Sequence, residues 1–325
     1  MLKSRSSEIS FLRVNESQKA YDMIDDEYKD LLWGIRLLRL ENAWSYLDEK
    51  KLNKIKVAII DSGIDLHHED INRNDIVEGY NFIDNTDDIS DSYGHGTAVV
   101  GIIAAKKNNR LGIAGVASGV KLYPLKVIND AGKANIKDTL NAIEWAISKN
   151  VDIINISLGY SSSFWGEDDP NLTNREIEIV NEAIKNDIII VASVGNNCGR
   201  TMDNPAAIPG VLNVASYGVV NWTNDFYDCK SNSKTNQYTI YAPGVGIYTT
   251  LPGNQYAYKN GASFATSFVT GAIALLKAYA PQANSRVIKD AIYLGADIYF
   301  CENKNIRILN VDKSIECIND LLKTD

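Results

Sequence analysis

The stretch Asn260-Gly-Ala-Ser-Phe-Ala-Thr-Ser-Phe-Val-Thr-Gly-Ala-Ile-Ala-Leu-Leu276 passes without a break from a turn signal into a long apolar run. The run ends at Ala280-Pro281. This pattern predicts a buried helix with Ser263 in its first turn, where backbone N–H groups lack partners and negative charge is favoured. A serine in that place is either a helix N-cap or a nucleophile. The stretch alone leaves both interpretations open.

Outward from this helix, apolar strands alternate with helices along the chain. Strands are predicted at 54–60, 120–128, 151–157, 187–193 and 211–216, and helices at 98–105, 138–150 and 174–185. Because the strands are apolar on both faces, we expect an α/β fold of three layers, with a mostly parallel central sheet and helices on both faces. Such sheets place their sites at the carboxyl ends of the strands. Asp61, the segment 157–159 and Asn196 fall at such ends.

The domain organisation follows from a change in hydrophobic patterning near Trp33. Residues 1–32 are polar and weakly periodic, which predicts an N-terminal extension. No internal repeat, low-complexity tract or linker interrupts residues 33–312. We therefore expect residues 33–325 to form one domain.

Composition excludes several classes of partner. The chain has 325 residues and a net charge of −8 without any basic block, which argues against nucleic-acid and anionic-membrane partners. No apolar run reaches membrane-spanning length, and the start lacks the apolar core of a secretory signal, so we expect a cytoplasmic protein. The acidic run 84–91 indicates a solvated loop or, less often, one that attracts a cation. The cysteines have no paired metal-ligand spacing, which predicts reduced, mostly buried thiols at Cys198, Cys229, Cys301 and Cys317.

Four polar residues carry the candidate chemistry. His95 stands between two glycines before a predicted helix, so its ring can reach a cleft, although a lone histidine is more often structural. Asp61 ends a strand, where aspartate is often a turn former or helix cap, and Asn196 after Gly195 is usually just a turn residue. Each of these purely structural roles is plausible alone. Together they are hard to maintain, because all three positions and Ser263 fall at one edge of the sheet.

The order Asp61, His95, Asn196, Ser263 and the sequences around it resemble the subtilisin-like serine protease family. The matching stretches are Val57-Ala-Ile-Ile-Asp-Ser-Gly-Ile-Asp65, Gly94-His-Gly-Thr-Ala-Val-Val-Gly101, Ile156-Ser-Leu-Gly159, Ala192-Ser-Val-Gly-Asn196 and Gly261-Ala-Ser-Phe-Ala265. The resemblance covers about residues 33–312 and is closest in organisation to intracellular subtilisins. It implies the subtilisin-like fold, with residues 33–325 as a catalytic domain.

The resemblance also implies a serine endopeptidase that works through an acyl-enzyme intermediate. Ser263 is then the nucleophile, His95 the base and later the acid, and Asp61 the group that orients the imidazole. The side chain of Asn196 and the backbone N–H of Ser263 are the implied oxyanion donors.

Departures from the family pattern concentrate around the serine. Ala262 stands where the family usually has threonine, and the missing hydroxyl is expected to weaken oxyanion stabilisation. Ser267 replaces a common proline, which is expected to loosen the first helical turn slightly. Phe264 and Phe268 replace the usual methionine and histidine.

A peptide or protein substrate is expected to bind as an added, extended strand. The implied flanking segments are Gly132, Lys133 and Ala134 on one side and Ser157, Leu158 and Gly159 on the other. The implied apolar pocket for the fourth residue before the cleaved bond consists of Ile128, Ile136 and Leu158, although the isoleucines could equally be plain core. The implied pocket next to the bond consists of Ala192, Ser193, Val194 and Gly159. Because none of these residues is charged, no strict basic or acidic preference is expected.

A structural calcium ion is a further implication of the resemblance. The implied oxygen ligands are the side chains of Asp70 and Asn109 and the carbonyls of Leu111 and Ile113. Basic residues in the same loop count against a cation there, so the alternative is an ion-free loop stabilised by hydrogen bonds. A cis peptide bond is also implied between Asn204 and Pro205.

Two other functions stay open beside a general protease. One is a dedicated protease that cuts leader peptides from ribosomally made precursor peptides. The other is an inactive subtilase-fold binding protein. Intracellular subtilisins have short N-terminal extensions that can block the cleft, so residues 1–32 are a candidate inhibitory propeptide. An α/β-hydrolase esterase is excluded because Ala265 stands where that fold needs glycine, and because the acid precedes the histidine and serine.

Overall fold

A computed structural model describes residues 22–47, 49–159, 170–196, 202–220, 225–226, 238–301 and 304–324. Most of the predicted N-terminal extension (1–21) and two of the four cysteines, Cys198 and Cys229, lie outside the described residues. Cys317 is a half-buried free thiol.

The strands of the described residues follow in chain order. They are β1 Lys56–Asp61, β2 Tyr80–Asn81, β3 Lys121–Lys126, β4 Ile153–Ile156, β5 Ile189–Ser193, β6 Leu212–Tyr217, β7 Val219–Val220, β8 Asp225–Phe226, β9 Thr239–Pro243, β10 Ile247–Leu251, β11 Gln255–Lys259, β12 Asp297–Cys301 and β13 Lys304–Ile308.

The helices alternate with these strands through most of the chain. They are α1 Trp33–Leu38, α2 Glu41–Tyr46, α3 Glu49–Leu52, α4 His95–Ala104, α5 Ile136–Ser148, α6 Pro170–Lys185, α7 Ala262–Tyr279, α8 Ser285–Leu294 and α9 Val311–Thr324, with short 3-10 turns at Lys29–Leu31 and Arg73–Asp75.

Nine strands form one sheet in the order β12-β13-β9-β6-β5-β4-β1-β3-β2. All neighbours run parallel except the edge pair β12 and β13, which is antiparallel. The α/β prediction of a mostly parallel central sheet is therefore confirmed. Parallel strands need crossover connections, and helices supply them here.

Both faces of the sheet are buried, which produces the three layers. In β1, Val57 and Ile59 belong to one apolar cluster, whereas Ala58 and Ile60 belong to a second. Successive side chains of a strand point to opposite faces, so these clusters are the two cores. Helix α7 packs in the first core, and α5 and α6 pack in the second.

Helix α7 is the central helix of the first core. Every residue from Ala262 to Ala278 is buried, and Gly271 lets the helix approach Val116 so closely that an added Cβ would lie 2.6 Å from the valine Cβ. A helix that is apolar on all sides is expected in such a place. It has the length and composition to cross a membrane, but 94% of it is buried inside the protein.

Candidate active site

Asp61 and His95 meet at the carboxyl end of β1. Asp61 is the last residue of the strand and is 1% exposed, and His95 is the first residue of α4. The Nδ1 atom of His95 lies 2.8 Å from Oδ1 and 2.9 Å from Oδ2 of Asp61. The backbone N–H of Ser62 donates to Oδ1 at 2.7 Å. The carboxylate is thus fixed by the strand end and holds one nitrogen of the imidazole.

Asp91 anchors the start of the histidine helix. Its buried carboxylate accepts hydrogen bonds from the backbone N–H groups of Gly94 (2.7 Å) and Thr97 (2.9 Å) and from the hydroxyls of Ser62 (2.9 Å) and Thr97 (2.6 Å). Such bonds satisfy first-turn donors that the helix leaves unpaired. Asp91 closes the acidic run that was interpreted as a solvated loop. For this residue that interpretation is wrong, because tertiary contacts bury it.

Two glycines explain how α4 comes so close to the end of β1. A Cβ at Gly96 would lie 2.1 Å from the carbonyl oxygen of Gly63, so only glycine fits there. Gly94 has a φ of +88°, a backbone conformation that glycine adopts without strain. The glycines on both sides of His95 therefore set the approach of its ring to Asp61.

The pKa of His95 reflects opposing influences. Burial by itself lowers it, because a charged imidazolium is poorly solvated there. The charge of Asp61, its hydrogen bond and the nearby charge of Asp91 outweigh burial, so the pKa of His95 is raised above its ordinary value of 6.5. The site thus stabilises a proton on this ring.

Ser263 lies in the first turn of α7, as the sequence predicts, and is 6% exposed. Its hydroxyl donates to the backbone carbonyl of Ser157 at 2.7 Å. Within the described part of the chain, the hydroxyl makes this bond and none to His95. The ring of Phe264, next in sequence, lies 5.4 Å from the His95 ring between centroids. The residue that follows the serine thus lies beside the histidine, and the serine hydroxyl is turned toward β4.

A buried polar network ties α7 to the end of β4. The Ser157 hydroxyl donates to the Ser263 carbonyl at 3.2 Å and accepts from the Asn155 amide at 2.9 Å. The Thr270 hydroxyl donates to the other end of the same amide at 2.8 Å. Because every member is bonded, the network fixes the helix against the strand without an unsatisfied polar group.

Asn196 lies beside the loop that leads into α7. Its Oδ1 accepts the backbone N–H of Ala262 at 2.8 Å. The carboxamide is thereby oriented, and among the described residues its Nδ2 has no hydrogen-bond partner. An exposed amide donor thus stands next to the first turn of the helix that carries Ser263.

Two of the departures near Ser263 have local substitutes in the structure. The hydroxyl of Ser267, at the family's proline position, donates to the Ser263 carbonyl at 3.0 Å. The ring of Phe268 fits against Gly34 of α1, where an added Cβ would lie 2.6 Å from the ring edge. Both side chains are buried. The first turn of α7 is thus held by side-chain bonding and packing.

The residues predicted for the outer substrate pocket share one apolar cluster. Ile128 is buried, and Ala134, Ile136 and Leu158 are partly exposed against it. Ile128 and Ala134 also form an antiparallel bridge, which makes 128–134 a small hairpin. Gly132 and Lys133 lie in that hairpin, and Tyr93, which was not predicted, has its ring 2.6 Å from where a Gly132 Cβ would lie.

The residues predicted for the pocket next to the cleaved bond follow β4 and β5. Ala192, Ser193 and Val194 are buried, whereas Gly159 is exposed. Asp203, which was not predicted, lies against this region. Its backbone N–H donates to the carbonyl of Val194 at 3.2 Å. The cis peptide predicted between Asn204 and Pro205 is confirmed.

Two of the predicted calcium ligands, the side chains of Asp70 and Asn109, meet in the structure, but their oxygens already accept hydrogen bonds from N–H and O–H donors. Asp70 accepts from the Asn109 amide (2.9 Å), the Ile113 N–H (2.8 Å) and the Tyr256 hydroxyl (3.2 Å). The Asn109 side-chain oxygen accepts from the Leu111 N–H at 2.8 Å. Across the described residues, no cluster of three or more His, Cys, Asp or Glu side chains could hold a metal. As arranged, the side chains of Asp70 and Asn109 do not fit the ion.

A second carboxylate closes the same loop. Asp26, 2% exposed, accepts the backbone N–H groups of Asn108 and Asn109, each at 3.0 Å. Arg110 also lies 3.5 Å from Asp25, although that ion pair is exposed and contributes little. The described end of the predicted N-terminal extension thus packs on this loop.

Comparisons with known proteins identify the family of the chain. A family model described as the subtilase family matches residues 53–312. The chain belongs to the subtilase family. It is 36% identical over 258 residues to Subtilisin from Bacillus pumilus, which covers 76% of this chain and 87% of the relative. Subtilases are serine-type endopeptidases, and this chain is therefore a hydrolase of peptide bonds.

Two further relatives support the assignment. Subtilisin E from Bacillus subtilis (strain 168) is 36% identical over 258 residues, which covers 76% of this subtilase but 63% of the relative's length. The Major intracellular serine protease of the same organism is 34% identical over 275 residues, which covers 82% of this chain and 81% of the relative.

Proposed function

We propose that this subtilase cleaves peptide bonds with Asp61, His95 and Ser263 as its catalytic triad, through an acyl-enzyme intermediate. The observation that carries the proposal is the position of His95 Nδ1, 2.8 and 2.9 Å from the two oxygens of the buried Asp61. An imidazole held at Nδ1 presents Nε2 as a base. Ser263, in the first turn of α7, is the group it activates.

The first step forms the acyl-enzyme. The Ser263 hydroxyl leaves the Ser157 carbonyl, transfers its proton to Nε2 of His95 and attacks the substrate carbonyl. The raised pKa of His95 supports this transfer because Asp61 stabilises the resulting imidazolium. The proton then passes to the leaving amine as the peptide bond breaks. In the second step a water molecule gives a proton to His95 and attacks the acyl-enzyme. His95 then returns the proton to the Ser263 oxygen as the second product is released.

The oxyanion of each tetrahedral intermediate is bound by the Nδ2 of Asn196 and the backbone N–H of Ser263. Two features support this role. The Asn196 side-chain oxygen already accepts from Ala262, which leaves the N–H₂ group as the donor, and Ser263 lies where helix N–H groups are unpaired. In subtilisin itself, losing one such donor costs about 10²–10³ in kcat.

Substrate recognition is proposed to use the two segments that flank the serine. A peptide that adds as a strand beside 132–134 and 157–159 finds backbone groups on both sides and the partly exposed Ile136 and Leu158 for a side chain. The relative named as an intracellular protease supports a cytoplasmic location. No step of this mechanism uses calcium.

A serine-directed fluorophosphonate probe tests the chemistry. We expect the wild-type protein to be labelled, Ser263→Ala to lose the label, and Ser285→Ala to keep it. Ser285 is a matched control because it is also 6% exposed and also starts a helix. No label on the wild type would refute the proposal and favour the inactive subtilase-fold binding protein.

Leader-peptide processing is the second candidate role. Broad turnover of casein by the labelled enzyme indicates general proteolysis, whereas cleavage at one narrow class of site indicates processing. A buried acidic side chain near the proposed cleavage site bears on this choice.

A further inference from the structure

Asp203 is a buried carboxylate without an evident structural task. It is 5% exposed, and among the described residues its Oδ1 has no hydrogen-bond partner. The amide of the neighbouring Asn204 donates to Glu176 at 2.8 Å. Burial raises the pKa of Asp203, as expected where a charge lacks a partner. An unpaired buried carboxylate destabilises the folded protein, so its presence indicates that a bound ligand supplies the missing partner.

The carboxylate occupies space that two glycines leave open. A Cβ at Gly195 would lie 2.2 Å from Asp203 Oδ2. A Cβ at Gly159 would lie 2.7 Å from the Asp203 Cβ and 3.2 Å from Oδ2. Any side chain at either glycine would collide with it. The carboxylate therefore lies between the chain segments that follow β4 and β5.

These two segments flank the proposed reaction centre. Gly195 directly precedes Asn196, the proposed oxyanion donor, and Gly159 follows Ser157, whose carbonyl accepts the Ser263 hydroxyl. A substrate carbonyl bound at Asn196 directs the side chain of its own residue into the pocket next to the cleaved bond. Asp203 lies against Gly159 and Val194, two of the residues assigned to that pocket.

We propose that Asp203 selects substrates with arginine or lysine immediately before the cleaved bond. The inference rests on the proposed protease chemistry and names its substrate class. A guanidinium or ammonium group entering between the two glycines supplies the partner that Oδ1 lacks. The proposal departs from the expectation of a pocket without charge, which considered only residues 192–194 and 159.

Backbone hydrogen bonds hold the segment around Asp203, so its side chain is not needed for that purpose. Its N–H bonds the carbonyl of Val194 and its carbonyl accepts the N–H of Ala207 at 3.1 Å, so the segment is held without the carboxylate. The net charge of −8 also attracts basic peptides over longer distances. A basic requirement restricts the sites that can be cut, which favours the processing role over general turnover.

Peptides that differ only at the residue before the cleaved bond test the proposal. We compare arginine, lysine, citrulline and leucine at this position, because citrulline has the shape of arginine without its charge. For the wild-type enzyme, kcat/KM is expected to be at least about 10²-fold higher for arginine than for citrulline. In Asp203→Asn this ratio is expected to fall to near one, with the leucine peptide cut at least as fast as by the wild type.

A matched control and a second measurement complete the test. Asp75→Asn changes another buried aspartate, 6% exposed and paired with Lys121 at the opposite end of β3 from the site, and it should keep the preference for arginine. If Asp203→Asn does not fold, inhibition of the wild type decides the matter. Benzamidinium should inhibit at least about tenfold more strongly than neutral benzamide, because only the cation pairs with a carboxylate.

The outcomes separate the two proposals. Fluorophosphonate labelling together with equal or faster cleavage of the leucine or citrulline peptide overturns the role of Asp203. A preference for arginine that survives in Asp203→Asn, or equal inhibition by benzamide, overturns it as well. Absence of labelling at Ser263 instead refutes the protease chemistry on which the inference rests.

Discussion

Replacing Asp91 by asparagine tests how the histidine helix is held. The asparagine keeps the shape of the side chain but turns one acceptor oxygen into an N–H₂ group. Each oxygen of Asp91 accepts one backbone N–H and one hydroxyl, so whichever oxygen is replaced leaves a backbone donor facing another donor, whereas the hydroxyl can turn to accept. The lost bond to a charged group costs about 1.5–3 kcal/mol, and each of the three remaining bonds weakens by about 0.5–1 kcal/mol without the charge, so the loss is about 3–6 kcal/mol. The expected fall in Tm is at least about 5 °C.

The same variant has a second, independent readout. The charge of Asp91 is one of the causes that raise the pKa of His95, so its removal should move the acid limb of kcat/KM to lower pH. Thermal unfolding is measured in the Ser263→Ala background, which prevents self-digestion, and the pH profile is measured on the active enzyme. Asp87→Asn in the same acidic run, exposed and with the same change of charge, is the control. A Tm within 1–2 °C of that control, with roughly 0.2 units or less of shift in the limb, would refute the anchoring role.

Three further predictions concern the triad, the oxyanion donor and the loop at 106–113. His95 must be neutral to act as a base, so its raised pKa places the acid limb of kcat/KM above pH 6.5. In Asp61→Asn we expect that limb to move to lower pH and kcat to fall by a factor on the order of 10⁴. Asn196→Ala should reduce kcat by about 10²–10³ with little change in KM. A rise in KM of that size with an unchanged kcat would contradict its role as an oxyanion donor. Excess EGTA should leave the Tm unchanged because the loop is held by hydrogen bonds, whereas Asp26→Ala should destabilise the fold by about 2 kcal/mol. A Tm that rises with added calcium would instead reveal a bound ion.

The fold was largely predictable because its strands are short, apolar on both faces and separated by helical periodicity. The predicted strand ends lie within about two residues of the observed ends in β1, β3, β4, β5 and β6. The antiparallel edge pair β12 and β13 was not predicted. Its sequence mixes polar and apolar residues, and an edge strand needs burial on fewer sides. The start of α4 was also missed by three residues, because Asp91 and the backbone near Gly63 place His95 in the helix.

The candidate site divides in the same way. Asp61, His95, Asn196 and Ser263 are recognisable because each has a local signature and all four occur in a known order. Asp91 and Asp203 have no such signature, since the first looks like part of a solvated acidic run and the second like a turn residue. Their tasks depend on contacts from segments far away in sequence. A sequence pattern does not report the burial or the missing partner of a single carboxylate.

Because the Ser263 hydroxyl bonds the Ser157 carbonyl, the reactivity of the serine depends on how often the hydroxyl turns toward His95 instead. Relative to a hydroxyl that bonds only water, a net hydrogen bond of about 1 kcal/mol favours the orientation toward Ser157 about fivefold. A small reactive probe samples that equilibrium as it stands. A peptide paired with the segment after β4 competes for the same carbonyl region and shifts the equilibrium toward attack. Occupancy of the substrate groove and reactivity of the serine are thereby coupled, so short and long substrates are expected to differ in kcat as well as in affinity.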